Sequence, residues 1–482
     1  MLDPERRAAS DLEPVPLVVN LDGVLIRSNL FIETLFCELG RQPGTIVGIL
    51  PSVFSGALAF QARLTQLSRV DVAALPYDQI VLDVIRQARA DGRRVFLTSA
   101  SHQKRVADIA NHLGLFDEAF GSSETLNLKG AAKANLLVKR LGARQFDYLG
   151  ADAADLPVWE QARRSLTIGA SASVRGRLAT LSGDVEHLDT PQATPAAWIR
   201  LLRVHQWAKN ALVFIPLLMA HKFTLAALGE ASLAFLAFSL CASSVYILND
   251  LVDLQADRAH PTKRTRAFAS GIISPRAGLY ALPILWLASF AVAALTSVSV
   301  VLVLLTYFAL TTLYSFVLKR KMLVDAFVLA SLYTLRVIVG GAAAGVVLSH
   351  WLLAFSMFIF IGLALIKRYV ELAMLADRNL PNPTKRDYQI ADLDVITALS
   401  AASGYSAVVV LALYISSDAV VPLYRRPDLL WFVCPLVLFW FSRALLLAHR
   451  RTMHDDPIVF ALTDRTSLLT AGLVVMLLLA AI

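Results

Sequence analysis

Asn249-Asp250-Leu251-Val252-Asp253-Leu254-Gln255-Ala256-Asp257 closes a long apolar segment and runs into the basic stretch Arg258 to Arg266. Read as a helix, positions 250, 253 and 257 follow i, i+3, i+7 spacing and share one face. Three carboxylates on one face repel one another unless a cation neutralises them. Mg2+ suits such a set, because it takes carboxylate, water and substrate-phosphate oxygens together. The competing reading is a solvated acidic helix end. Asn249 and the apolar surroundings favour the metal reading, with a phosphate-bearing, lipid-linked substrate at a membrane face.

Outward from this stretch, the composition divides the 482 residues in two. The first 180 or so have globular composition with charges throughout, whereas from about residue 210 apolar stretches near 20 residues long alternate with short polar loops. That excess sets the mean hydropathy at +0.59, and it is the pattern of membrane helices. Nine spans are expected, at 209–226, 229–248, 277–297, 299–317, 322–343, 350–367, 394–415, 428–448 and 466–482. One set of loops carries Arg200, Arg203 and Lys209, then Arg258 to Arg276, Lys319 to Lys321, Lys367 to Arg386 with Lys385, and Arg450, Arg451 and Arg465; the alternate loops carry little more than Lys222, Arg425 and Arg426. By the positive-inside rule the first set is cytoplasmic, in an inner or cytoplasmic membrane, with the N-terminal domain on the same side. The net charge of +8 is mostly this bias, so it does not point to nucleic acid. The first 16 residues are polar and Pro-rich, unlike a cleavable signal peptide. Cys37, Cys241 and Cys434 are too widely spaced for a disulfide framework or a metal knuckle. The expected domains are 1–181, a linker at 182–197, and a membrane domain at 198–482.

In the soluble part, short β-rich runs at 17–25, 94–98, 146–150 and 165–169 alternate with helical stretches, which argues for a parallel α/β sheet with its site at the carboxyl ends of the strands. The motifs Asn20-Leu-Asp22-Gly23, Thr98-Ser99 and Gly150-Ala-Asp-Ala-Ala-Asp155 resemble a haloacid-dehalogenase-type domain, Rossmann-like with a helical cap at 30–85. The resemblance implies a phosphatase-like site of Asn20, Asp22, Thr98 or Ser99, Lys129 (with Lys133 as the alternative) and Asp155. Two departures weaken the activity it implies. Asn20 stands at the nucleophile position, and an amide cannot form an aspartyl-phosphate. Ala151 replaces the usual first acidic residue of the last motif. A binding, regulatory or scaffold role is expected ahead of phosphatase activity.

Asn-Asp-x-x-Asp-x-x-x-Asp at the cytoplasmic end of the second helix resembles the UbiA superfamily of intramembrane prenyltransferases, an all-α membrane bundle. There the motif binds a pyrophosphate through Mg2+. Arg203-Val-His-Gln-Trp-Ala-Lys-Asn210, Asp257-Arg-Ala-His-Pro-Thr-Lys-Arg264, Tyr314-Ser-Phe-Val-Leu-Lys-Arg320 and Lys367-Arg-Tyr-Val-Glu-Leu372 are similar to the decaprenyl-phosphate phosphoribosyltransferase branch. Aromatic prenyltransferases carry a second acidic motif after the sixth helix; here that loop opens with Lys367-Arg368-Tyr369-Val370-Glu371, mainly cationic. One carboxylate cluster and several cations match phosphoribosyl pyrophosphate plus a polyprenyl phosphate better than a single prenyl diphosphate.

The resemblance implies Mg2+ on Asp250, Asp253 and Asp257, oriented by Asn249. Arg203, Gln206, Lys209, Asn210, Lys263, Arg264, Arg266, Lys319, Arg336, Lys367 and Arg368 are then substrate-binding, with Arg giving forked phosphate contacts. Glu371 is either a second metal ligand or a residue that orients the cations. Most Lys and Arg at such a face also set topology and contact lipid headgroups. Arg336 and Arg443 fall in or near apolar spans, where an ionisable residue faces the bundle interior; Asp325 is a candidate partner. Gly340-Gly341 permits close helix packing, and His454-Asp455-Asp456 reads as a polar loop. Two other functions compete: an aromatic prenyltransferase using a prenyl diphosphate, and a lipid-phosphate binding or transport scaffold.

Overall fold

The computed structural model describes residues 14–181, 183–189, 193–383, 386–418, 420, 423–453 and 456–482. Lys385 and the His454-Asp455 pair lie outside them. Two compact units are present. The first comprises the chain up to Leu201 together with Ile247–Ala281, and the second comprises Leu202–Tyr246 and Leu282–Ile482.

A six-stranded parallel sheet organises the first unit: β1 (Leu17–Asn20), β2 (Val95–His102), β3 (Glu118–Ser122), β4 (Asp147–Gly150), β5 (Arg164–Ile168) and β6 (Val185–Leu188), in the order β3-β2-β1-β4-β5-β6. β1 is central and buried along its whole length, with the apolar run Leu17-Val18-Val19 ending at Asn20. Chain order reverses between β1 and β4, so ligands are expected in the crevice beyond their carboxyl ends. Helices Leu30–Arg41 (α1), Pro43–Ile49 and Ala57–Leu67 occupy the expected cap region. Part of the expected linker belongs instead to the sheet: Val185–Leu188 pairs with β5. A four-residue polar edge strand has too little apolar alternation to stand out from a loop. Ser182 and residues 190–192 lie outside the described residues.

The division at residue 198 differs from the structure in a second way, because Ile247–Ala281 packs with the sheet domain. The long helix Leu225–Val252 (α2) ends there, followed by Leu254–Ala259 (α3). Gly40 of α1 lies against the last turn of α2 so closely that a Cβ would come within 2.5 Å of the Val252 carbonyl oxygen. This approach is a tertiary fact that hydropathy cannot report.

The apolar helices match the expected spans less one or two. Among the described residues, seven helices are long and apolar enough to cross a membrane: Leu225–Val252, Pro275–Ala294, Val298–Phe316, Val324–Ala344, His350–Asp377, Ile390–Ile415 and Pro427–His449. An eighth arises if Pro457–Thr463 and Arg465–Ala481, bent by 78°, form one span. The expected first span, 209–226, is a 3-10 segment (Val204–Phe214) and the short helix Ile215–Met219. Its buried Lys209 and Asn210 interrupt the apolar run. Gly340 is required where it stands, since a Cβ would come within 1.9 Å of the Val213 carbonyl oxygen.

Candidate active site

The acidic stretch forms an almost continuous helix with a break at Asp253. The backbone bonds Asp253 N to Asn249 O and Asp257 N to Asp253 O are both 2.8 Å, while Asp253 itself is the N-cap of α3. Asp250 and Asp257 are buried and Asn249 and Asp253 half-buried. Asp250 and Asp257 converge on one cation: Arg266 Nη1 donates to Asp257 Oδ2 at 2.7 Å and to Asp250 Oδ1 at 3.2 Å. Burial pushes the Asp257 carboxyl above its ordinary value, opposed by Arg266 and Lys263. Among the described residues no three acidic, His or Cys side chains are gathered as a ready metal site, so the expected three-carboxylate cluster is not preassembled. The donor set nevertheless fits a divalent ion: two hard oxygen donors already share one positive charge, at the place the guanidinium holds. Lys263 and Arg264 are exposed on the following turn.

The second unit gathers cations. Lys209 Nζ and Lys367 Nζ both donate to Asp456 Oδ2, at 2.5 Å and 3.1 Å. Lys209 and Asp456 are buried and Lys367 half-buried. Burial lowers the Lys209 ammonium to about 8 even against the pull of Asp456. Burial also disfavours the charged Asp456, yet Lys367 and Lys209 hold its carboxyl far below the ordinary range. Next to Lys209, Asn210 Oδ1 accepts from Arg336 Nε at 2.7 Å. The other partners of that buried guanidinium are the Tyr307 hydroxyl (3.2 Å) and the Leu332 carbonyl (2.5 Å), all neutral. The Tyr333 ring lies 5.3 Å from Arg336 Cζ and 6.0 Å from Lys209 Nζ, which ties the three cations into one neighbourhood. Arg203 lies over the Tyr246 ring at 4.8 Å. Gln206 and Lys319 are half-buried in 3-10 segments.

Arg368 is placed differently from a substrate cation. It is fully buried, with Nε 2.8 Å from Asp325 Oδ2, and it also pairs with Glu371. Tyr388 donates to Asp325 Oδ1 at 2.5 Å, and Arg386 takes the other side of Glu371. Glu371 therefore lies between two cations, Arg368 and Arg386, and Asp325 is the partner of Arg368. Arg443 pairs with Asp464 at 2.6 and 3.1 Å rather than with Asp325.

At the carboxyl ends of β1 and β4, the phosphatase-like residues assemble around a lysine. Lys133 Nζ donates to Asn20 Oδ1 (2.9 Å), to the Tyr148 hydroxyl (3.1 Å) and to Asp155 Oδ1 (3.3 Å). Lys129 is exposed, so the alternative lysine takes that place, four residues on and buried in the helix Ala131–Leu141. Thr98 is buried and donates to the Val19 carbonyl, whereas Ser99 and Ser101 donate to Asp22 Oδ2 at 2.5 and 3.1 Å. Burial, and then Asp155, pushes the Tyr148 hydroxyl up, which keeps it a proton donor to Asp155.

Three residues with consequences escaped the sequence reading. Asp456 falls in a stretch expected to be a polar loop, Tyr148 in a β-rich run and Glu33 in the expected cap region, with no role assigned to any of them. Their partners lie 247, 15 and 225 positions away. The available signal for the third is a pair of glutamates, Glu33 and Glu38, set within the apolar run 30–39; both are fully buried.

The model of the UbiA prenyltransferase family matches residues 211–469. A Sinorhizobium fredii protein designated y4nM and described as uncharacterized is 40% identical over 467 residues, 95% of this chain and 90% of its own length. The decaprenyl-phosphate phosphoribosyltransferase of Mycobacterium tuberculosis is 36% identical over 193 residues, 39% of this chain; the chain spans 64% of that enzyme's length. A solved UbiA homolog from Archaeoglobus fulgidus, bound to GPP and Mg2+, is 16% identical with a TM-score of 0.46 over 59% of this chain and 99% of its own.

Proposed function

The chain belongs to the UbiA prenyltransferase family and is a multi-pass, integral-membrane transferase, and on that premise we propose that it moves 5-phosphoribose from phosphoribosyl pyrophosphate to a polyprenyl phosphate. The observation that carries this reading is the pair Lys209 and Lys367 on one carboxylate beside Arg336. Among the described residues, Lys209 and Lys367 share one carboxylate with Arg336 beside them, an excess of positive charge in a buried setting that a phosphate group would offset. The likeness to a decaprenyl-phosphate phosphoribosyltransferase supports the same substrates.

In this reading the bond from the anomeric carbon to the pyrophosphate oxygen breaks, and a bond from that carbon to a lipid-phosphate oxygen forms. The acceptor is already anionic, so no proton has to be removed and no strong general base is needed. Mg2+ held by Asp250, Asp253 and Asp257 would supply charge neutralisation of the departing pyrophosphate. Asn249, on the same turn as Asp250 and Asp253, orients the carboxylates. Lys209, Lys367 and Arg336 hold phosphate, Asp456 holds the two lysines in register, and Arg368 is locked in place by Asp325 and Glu371. Positioning and fixed charge carry the rate. The side of the membrane on which this occurs is the cytoplasmic one by the positive-inside argument.

The test uses purified protein in detergent with Mg2+, a medium-length polyprenyl phosphate and ribose-labelled phosphoribosyl pyrophosphate. Label is expected in the organic phase and is expected to vanish in Asp250→Asn. Consumption of a prenyl diphosphate with an aromatic acceptor, without ribose transfer, would replace this reading by prenyl transfer.

A further inference from the structure

We infer that Glu33, contributed by the N-terminal domain, is a positioning residue for the aspartate segment, acting through Arg258 on Asp257. The inference rests on the reading above that these aspartates take a divalent ion.

Glu33 and Arg258 form a forked pair, Nη1 to Oε2 at 2.8 Å and Nη2 to Oε1 at 2.6 Å. Their side chains are 0% and 5% exposed. Gln255 Nε2 reaches the same Glu33 oxygen at 3.4 Å, and its own Oε1 accepts from Asp71 N at 3.2 Å. Arg258 Nε donates to the Ala269 carbonyl at 3.1 Å. Gln255 and Arg258 are three apart, so they lie on one face of α3, and that face is clamped to α1. Asp257 is the next residue round, about 100° away, and it points to Arg266. The fork therefore sets the rotation of α3 and with it the direction of the Asp257 carboxylate. The close approach of Gly40 to Val252 sets the distance of α1 from the end of α2. Without Glu33, a buried guanidinium would be left uncompensated one residue from Asp257, and it would compete for the carboxylates that a metal ion needs.

This gives the N-terminal domain a task that needs no phosphatase chemistry. α1 begins on the phosphatase-like site, where Leu30 N donates to Asp22 Oδ1 at 2.6 Å, and holds the aspartate segment one turn later.

The experiment measures Mn2+ binding to the full-length protein in detergent from the paramagnetic signal of the free ion, beside activity and thermal unfolding. Glu33→Gln is expected to weaken Mn2+ binding about tenfold or more, the usual effect of losing a residue that orients a metal ligand. Adding Arg258→Gln removes the stray cation but leaves the fork missing, so affinity is expected to stay below that of the wild type. Wild-type affinity in Glu33→Gln, or in the double variant, overturns the inference. Should Glu33→Gln fail to fold, Arg258→Lys keeps the charge and loses the fork; unchanged affinity there is equally fatal. Mn2+ binding unaffected by Asp250→Asn would instead overturn the underlying metal reading.

Discussion

Arg266 Nη1 lies 2.7 Å from Asp257 Oδ2 and reaches Asp250 with the same nitrogen, so one guanidinium holds two carboxylates of the acidic stretch together. A divalent ion bound there has to displace that contact. Arg266→Gln should therefore bind Mn2+ more tightly than the wild type while unfolding at a lower temperature without metal, with added Mn2+ closing the gap. A melting series against Mn2+ concentration checks both halves, and weaker Mn2+ binding would count against the carboxylates as ligands.

Loss of a metal-bearing carboxylate should be severe. Asp250→Asn and Asp253→Asn are expected to reduce transfer by at least about a hundredfold, more than losing a supporting residue costs. The comparison with Lys263→Gln is informative, since Lys263 is exposed and its loss should act mainly on KM.

Lys209 predicts a pH dependence. Its ammonium is lowered from 10.5 to about 8, so the free site loses that charge progressively above pH 8 and keeps it below. Phosphate needs the charged form, so KM for the phosphate-bearing substrate should rise on the alkaline side, by up to about tenfold per pH unit. Lys209→Arg, always charged, should remove the inflection; an unchanged profile in that variant would assign it to another group.

Asp456→Asn removes the carboxylate on which two lysines converge. Breaking a buried pair leaves like charges facing each other, at about 3–5 kcal/mol for a fully buried case and less here because Lys367 is half-buried. Added inorganic phosphate or pyrophosphate should recover the thermal stability of this variant more than it raises that of the wild type. Equal responses would mean that the two lysines do not form an anion site.

Asn20→Asp places a carboxylate opposite Lys133, now 2.9 Å from the amide oxygen. Hydrolysis of a generic phosphomonoester with Mg2+ should be at background in the wild type and measurable in the variant. Hydrolysis by the wild type would show that Asn20 does not silence the site.

Much of this architecture is written in local pattern. Apolar runs of span length between basic loops, a β-rich run ending at Asn20-Leu-Asp22, and carboxylates spaced three and four apart are all properties of neighbours in sequence, and the helix and strand periods convert them directly into faces and ends. Hydropathy overcounted where Lys209 and Asn210 interrupt the first apolar stretch. It also missed β6, whose four residues are too few and too polar to register.

What the sequence determined by itself, then, was a membrane bundle preceded by a parallel α/β domain, an acidic stretch at the end of α2, and a set of cations suited to phosphate. Tertiary structure alone decided the pairings: Asp456 beneath Lys209 and Lys367, Arg368 between Asp325 and Glu371, Lys133 rather than Lys129 at Asn20, and Glu33 on Arg258. The physical reason is burial. A charge taken out of water must find a counter-charge or hydrogen-bond partners wherever the fold brings them within about 3 Å, and most of these partners are tens to hundreds of residues away along the chain.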